Sequence, residues 1–156
     1  MKRLWMAVAL AGVIASALAV AQPGKARGAP AAAVEPVKKG RLVFTVTTGL
    51  EDVQTLNSSF RHAQAALASG HLEKVIWLGY GRSAVVFDPT VKAVPDEVRK
   101  AAAAAKAAGV ELVVCNNSLE KYGIDPGTLQ PQARVVPNAM TELALLVSQG
   151  FEVISY

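Results

Sequence analysis

The sequence predicts an α/β fold with three layers, α/β/α, around a five-stranded and mainly parallel sheet. Two observations support this. Five short, apolar and charge-poor runs alternate with segments in which apolar residues recur at helical spacing. Glycines follow the helical segments, as they do at helix ends. Because alternating strands and helices form right-handed crossovers, they imply a parallel sheet covered on both faces, flavodoxin-like in general shape.

The apolar runs predict five strands. The first contains Phe44 among β-branched residues and ends at Gly49, which is typical of a buried strand. The third ends on the only cysteine of the chain, Cys115. In chain order, the predicted strands are residues 42–48, 74–80, 110–115, 133–136 and 151–156.

The first two predicted helices lie on either side of the second strand. Residues 52–70 carry apolar side chains at a spacing close to that of a helix. The next helix opens at Pro95, with Asp96 and Glu97 in its first turn, an arrangement that suits a helix N-terminus. A loop with a short apolar piece at residues 84–87 leads into it.

The last two predicted helices are shorter. Residues 116–122 form the third helix and are followed by a glycine. Asn138 is the predicted N-cap of the fourth, which carries Met140, Leu143 and Val147 on one face.

Composition and charge exclude several classes of protein. The chain has 156 residues, of which 52% are apolar and 18% charged, and this excludes a disordered or collagen-like chain. From Leu42 onward, 9 basic and 11 acidic residues leave a charge near −2, so the net charge of +4 comes from the residues before that point. Nucleic-acid binding needs a basic face on the folded part. We therefore expect no nucleic-acid partner.

The first 21 residues have the features of a secretory signal peptide. Lys2 and Arg3 precede an apolar run, and small residues at positions 19 and 21 form a cleavage site. We expect cleavage before Gln22 and export of the mature protein, to a periplasm. The alternative is an uncleaved anchor, in which case the leader alone would contact a membrane.

Residues 22–40 are rich in Ala, Pro, Gly and Lys and have no apolar period. Such a segment is predicted to be a flexible linker. The folded domain is then expected to span residues 41–156.

Candidate functional residues lie at the carboxyl ends of the predicted strands, where ligands collect in open α/β sheets. Cys115 is the strongest candidate, because it ends a strand directly before a helix start, where a partial positive charge favours the nucleophilic thiolate. The alternative is that Cys115 is a small buried core residue. Other residues expected near this edge are Thr48, Tyr80, Gly81, Arg82, Asn116, Asn117 and Asn138.

Other chemistries have weaker signals. Thr47-Thr48-Gly49 precedes a helix as phosphate-binding loops do, but Glu51 and Asp52 follow it, and the chain has no G-x-G-x-x-G or Walker pattern. The two histidines are not spaced as a ligand pair, and a lone cysteine excludes a multi-thiolate zinc site. We expect no nucleotide, metal or other cofactor.

Several segments together form a recognisable pattern. They are the opening strand Leu42-Val43-Phe44, Tyr80-Gly81 at the end of the second strand, and the run from Gly109 to Asn117. The closing strand, helix and strand over residues 135–151 complete it. With these segments, residues 41–156 resemble the DsrE/DsrF-like family of small sulfur-metabolism proteins.

The resemblance implies a parallel α/β/α domain that assembles as a homo-oligomer. It also implies that Cys115 is similar in role to the persulfide-carrying cysteine of the sulfur-relay members, with Tyr80, Gly81 and Asn116 as neighbours. The chain differs from some members in having Cys-Asn-Asn-Ser where they have Cys-Gly-x-Cys. It also has a predicted export signal, whereas the classical relay proteins work in the cytoplasm.

Two functions from different classes follow. In the first, the protein is a sulfur carrier: Cys115 accepts sulfane sulfur as a persulfide, in exchange with a sulfur-donor or acceptor protein. In the second, it is a non-catalytic module for small-ligand binding or assembly, with a structural cysteine. In either case we expect a homo-oligomer, because so small a three-layer domain leaves apolar helix surface uncovered.

Overall fold

The computed structural model describes residues 38–156. The predicted signal peptide, residues 1–21, and residues 22–37 of the predicted linker lie outside the described residues. Within the described part of the chain, no helix has both the length and the apolar character needed to cross a membrane.

Strands and α-helices alternate along the described residues, as the sequence predicts. In chain order they are β1 (Gly40–Val46), α1 (Val53–Ala68), β2 (Leu72–Gly79), α2 (Asp96–Ala107), β3 (Glu111–Cys115), α3 (Asn116–Tyr122), β4 (Arg134–Val136), α4 (Ala139–Ser148) and β5 (Glu152–Ser155). The predicted elements are all present, with ends displaced by about two residues or less. The short apolar piece after β2 lies within 3-10 turns over Gly81–Phe87.

The strand order explains how the helices are divided between the two faces of the sheet. The order is β4-β3-β2-β1-β5, and every neighbouring pair is parallel. From β1 to β4 the chain moves across the sheet in one direction, so right-handed crossovers place α1, α2 and α3 on one face. The connection from β4 runs back to β5 and places α4 on the opposite face. The predicted three-layer α/β/α fold is confirmed, with an unequal division of helices.

The larger core lies between the sheet and the helices α1 and α2. Its centre is Trp77, which is fully buried and stacks on Phe60 with ring centroids 4.3 Å apart. Phe87 meets the same indole edge-on at 5.5 Å. The indole N–H donates to Ser59 Oγ at 2.9 Å, so the one polar atom of the ring is satisfied.

The smaller core lies beneath α4. It is formed by alternate residues of the strands together with the inner face of the helix, and comprises Val43, Ile76, Leu78, Val113, Cys115, Val136, Ala139, Leu146 and Phe151. Of the three residues that the sequence groups on one face of α4, only Leu143 packs against this core. Met140 and Val147 are 49% and 50% exposed, because within residues 38–156 α4 is the only helix on this face and no other element covers its flank.

Candidate functional site

Cys115 lies where two neighbouring strands lead to opposite faces of the sheet. It is the last residue of β3, and its register partner in β4 is Val136. After Cys115 the chain enters α3 on one face, whereas after Val136 it enters α4 on the other. In open α/β sheets ligands bind in the crevice at such a topological switch point. The sequence predicts the carboxyl edge as the site, but the switch point depends on strand order.

The thiol itself is buried. Cys115 is 4% exposed and is a free cysteine. Its side chain belongs to the core beneath α4, with Val136, Ala139 and Leu146. The side chain therefore points toward α4 and away from the face on which α3 lies.

A cavity of about 280 Å³ opens beside Val136, the register partner of Cys115, and Cys115 itself is not part of its lining. The cavity lies at the end of β4 and along the first turns of α4, and its lining is mainly apolar. Val136 belongs both to the cavity wall and to the cluster that contains Cys115. The complete lining is Val136, Pro137, Asn138, Thr141, Glu142 and Leu145.

Tyr80 and Gly81 follow β2 and connect the edge of the sheet to α3. Tyr80 is partly buried and packs against the cluster that contains Cys115. Gly81 has a φ of +62°, and its N–H donates to Ser118 Oγ at 2.8 Å. Ser118 is a contact that the sequence analysis missed. The only signal for it is its position three residues after Cys115, which also fits an ordinary helix-start serine.

Arg82 does not turn toward the thiol. Its Nε lies 2.7 Å from Glu51 Oε1, and its side chain is 65% exposed. The same carboxylate accepts the N–H of Gly49 at 3.0 Å. The Gly49 hydrogen bond, with help from Arg82, holds the pKa of Glu51 below its ordinary value. The loop before α1 has the position of a phosphate-binding loop. Its Gly49 N–H, however, binds a carboxylate of the chain itself.

The candidate asparagines at this edge differ in what they contact. Asn116 Nδ2 donates to Glu120 Oε1 at 2.7 Å within α3, and Asn117 is exposed. Asn138 Oδ1 accepts the N–H groups of Met140 and Thr141 at 2.8 and 3.1 Å and so caps α4, as predicted.

Thr48 is half-buried in the loop after β1. Of the predicted neighbours, Tyr80 packs against the cluster of Cys115, and Asn138 holds the helix that covers it.

The fold and this edge define a small parallel α/β protein with a single thiol at its switch point. The sequence model of the DsrE/DsrF-like family matches residues 40–156. The chain belongs to this family, which is associated with sulfur metabolism.

Solved structures show the same fold at low sequence identity. The ychN protein from E. coli has a TM-score of 0.63 at 14% identity, over 76% of this chain and 100% of that one. Two proteins of unknown function are also similar: MTH1491 from Methanobacterium thermoautotrophicum (TM-score 0.59, 19% identity, 76% of this chain and 100% of that one) and BT1422 from Bacteroides thetaiotaomicron (0.58, 17%, 74% and 94%). No curated protein matches the chain.

Proposed function

We propose that the protein is a sulfur carrier, in which Cys115 accepts sulfane sulfur as a persulfide and passes it to a partner protein. The observation that carries the proposal is the position of the only cysteine. It lies at the switch point, where the connections that follow β3 and β4 lead to opposite faces of the sheet. Membership of a family associated with sulfur metabolism supports it.

The proposed chemistry is an exchange between thiols. The thiolate of Cys115 attacks the outer sulfur of a donor persulfide. A new S–S bond forms on Cys115 while the S–S bond of the donor breaks, and the electron pair leaves on the donor thiolate. One S–S bond replaces another, so no oxidant or reductant is consumed. Transfer to an acceptor thiol follows the same path in the opposite sense.

Access to the thiol is proposed to run through the 280 Å³ cavity at the end of β4. Because Cys115 is 4% exposed, the donor reaches it only when the first turn of α4 moves away locally. The one charged residue of the lining is Glu142, an acid whose carboxylate bonds Arg134. An apolar wall with an acid favours a thiol persulfide over a dianion such as thiosulfate as the donor.

A second function is favoured by the burial of Cys115. A thiol enclosed by Val136, Ala139 and Leu146 packs as a small apolar side chain does. In this case the protein is a non-catalytic module for ligand binding or assembly, and the cavity, not the thiol, is its functional feature.

Native alkylation distinguishes the two functions. The purified protein is treated with iodoacetamide at neutral pH, with and without denaturant, and a Cys115→Ala variant is the blank. A carrier is expected to be labelled while folded, and labelling only after denaturation would favour the module.

A further inference from the structure

Strand β5 forms an exposed edge of the sheet. It pairs with β1, and within the described residues no strand pairs with its outer side. All four of its residues are exposed. They include Val153 and Ile154, at 40% and 41%.

The backbone groups on this outer edge can be assigned. Tyr156 N–H donates to Thr45 O at 2.8 Å, and Tyr156 O accepts Thr47 N–H at 3.0 Å, so both backbone groups of Tyr156 face β1. Alternate residues of a strand direct these groups to the same side. Val153 and Ser155 therefore direct their N–H and C=O groups outward, away from β1.

The two edges of the sheet differ in how well they are protected. Proteins usually protect an edge strand by making it short or by placing a charge or a proline on it. β4 has three residues, carries Arg134 and is followed by Pro137. β5 is longer, and its one charge is Glu152, at its first residue. Such an edge is suited to pairing with another strand.

We propose that the outer edge of β5 pairs, antiparallel, with β5 of a second copy of this chain, across a two-fold axis at Ile154. In this register Val153 lies opposite Ser155 of the partner subunit, and the pair exchanges two N–H···O bonds. By symmetry, the outward groups of Val153 and Ser155 in both copies are then satisfied.

The partner is a second copy because the edge is complementary to itself. In this register Glu152 lies opposite Tyr156 of the partner subunit, so the two Glu152 side chains are not opposed. Ile154 lies opposite the same residue of the partner subunit and forms an apolar contact. A contact that uses the same patch on both subunits closes as a dimer and does not propagate.

The flank of α4 extends this surface. Thr141 and Leu145 line the cavity at β4, so Met140 and Val147, on the opposite flank of the helix, face the β5 side. Both are about half exposed and uncharged. Val153 is in register with Val43, which belongs to the core beneath α4, so Val153 lies on this same face. Exposed apolar residues therefore lie on this face both at the helix flank and on the edge strand.

The proposal is tested by light scattering of the full chain at micromolar concentration. Ile154→Lys and Ile154→Glu place like charges across the two-fold axis, so each is expected to halve the molar mass of the wild-type assembly. An equimolar mixture of the two is expected to restore it, because Lys then meets Glu. Tyr122→Lys makes the same kind of change at another exposed apolar residue, on α3 and 38% exposed, and is expected to leave the mass unchanged.

Val153→Pro provides a second route, because it removes an outward N–H and no hydrogen bond to β1. It too is expected to halve the mass, with far-UV circular dichroism confirming that each variant is folded. A monomeric wild type would overturn the proposal. This is the result expected if residues 1–37 or another partner, and not a second copy, occupied this edge. Folded Ile154→Lys with the wild-type mass, or a mixture that stays at half mass, would also overturn it.

Discussion

For a sulfur carrier, Cys115 has a favourable position in the sheet but is too little exposed to react directly. It ends β3 at the switch point of the sheet, yet it is 4% exposed among apolar side chains. A buried thiol reacts only through an opening of the structure around it, at a rate that depends on the free energy of that opening. The residues that control the opening are therefore as important to the proposed function as the thiol.

Arg82→Ala is expected to leave the alkylation rate of native Cys115 within about twofold of wild type, because exposed ion pairs contribute little. Its guanidinium bonds Glu51 and is directed into solvent. The rate is measured against pH with iodoacetamide, and Arg61→Ala, an exposed change on α1, is the control. A fall of about tenfold in Arg82→Ala alone would mean that this charge acts on the thiol after all.

At the scale of elements, α4 is the cover of the candidate site. It contributes Ala139 and Leu146 to the cluster around Cys115. Its first turn is held by Asn138, which accepts two of the free N–H groups there. The stability of this turn should therefore set how often the thiol is accessible.

Asn138→Ala is expected to lower the free energy of unfolding by about 1 kcal/mol, since the cap of α4 is lost. If the same turn covers Cys115, native alkylation should become about fivefold faster. Urea unfolding and the labelling rate measure the two effects, and Asn138→Ser, which keeps a capping oxygen, should restore both. A labelling rate equal to that of wild type in a destabilised Asn138→Ala variant would show that the thiol is reached by another route.

A network of charged residues joins β2, β3 and β4 to α4, where it includes Glu142 of the cavity lining. Glu111 accepts from Lys74 and Arg134 at 2.8 and 2.6 Å, and Arg134 also donates to Glu142 at 2.7 Å. Burial acts to raise the pKa of Glu111, but the hydrogen bonds from Lys74 and Arg134 outweigh it and hold that pKa below 4.5. Through Arg134, these ion pairs thus hold the short edge strand β4 to β3 and α4.

Glu111→Gln is expected to lower the free energy of unfolding by about 1 kcal/mol at neutral pH. Because the folded pKa of Glu111 is lowered, its contribution is complete above 4.5 and is lost as the pH falls through the folded value. The gap between wild type and variant, measured by urea unfolding, should therefore close in acid. Arg134→Gln should remove much of the same pH dependence, and a gap that persists in acid would contradict this explanation.

At the scale of the whole molecule, local patterns predict the elements but not their arrangement. Each strand and helix is visible in the sequence because its apolar period and its glycine stop are local properties. Strand order is not local, so the sequence does not reveal that α4 is alone on its face or that Cys115 lies at the switch point. Nor does it show that Cys115 points beneath α4, since a shift of one residue in register would reverse its direction. The pairing of Arg82 with Glu51 likewise depends on the approach of two loops.

Export is a property of the whole chain, and we propose that the mature protein acts in a periplasm. Cleavage after the leader is expected to give a mature protein that begins at Gln22. Intact mass spectrometry of protein recovered from its native compartment measures this directly. A mass that still includes residues 1–21 in a membrane fraction would support the anchored alternative.

The central claim is that Cys115 carries sulfur in the folded protein. The most direct measurement is the intact mass of native protein after treatment with a small-molecule thiol persulfide, the class of donor proposed above, with Cys115→Ala treated in parallel. The proposal predicts an added mass of one sulfur atom, about 32 Da, that is absent from the variant and is removed by an acceptor thiol. An unchanged mass in native protein, with a thiol that reacts only after denaturation, would contradict the claim and leave Cys115 as a core residue.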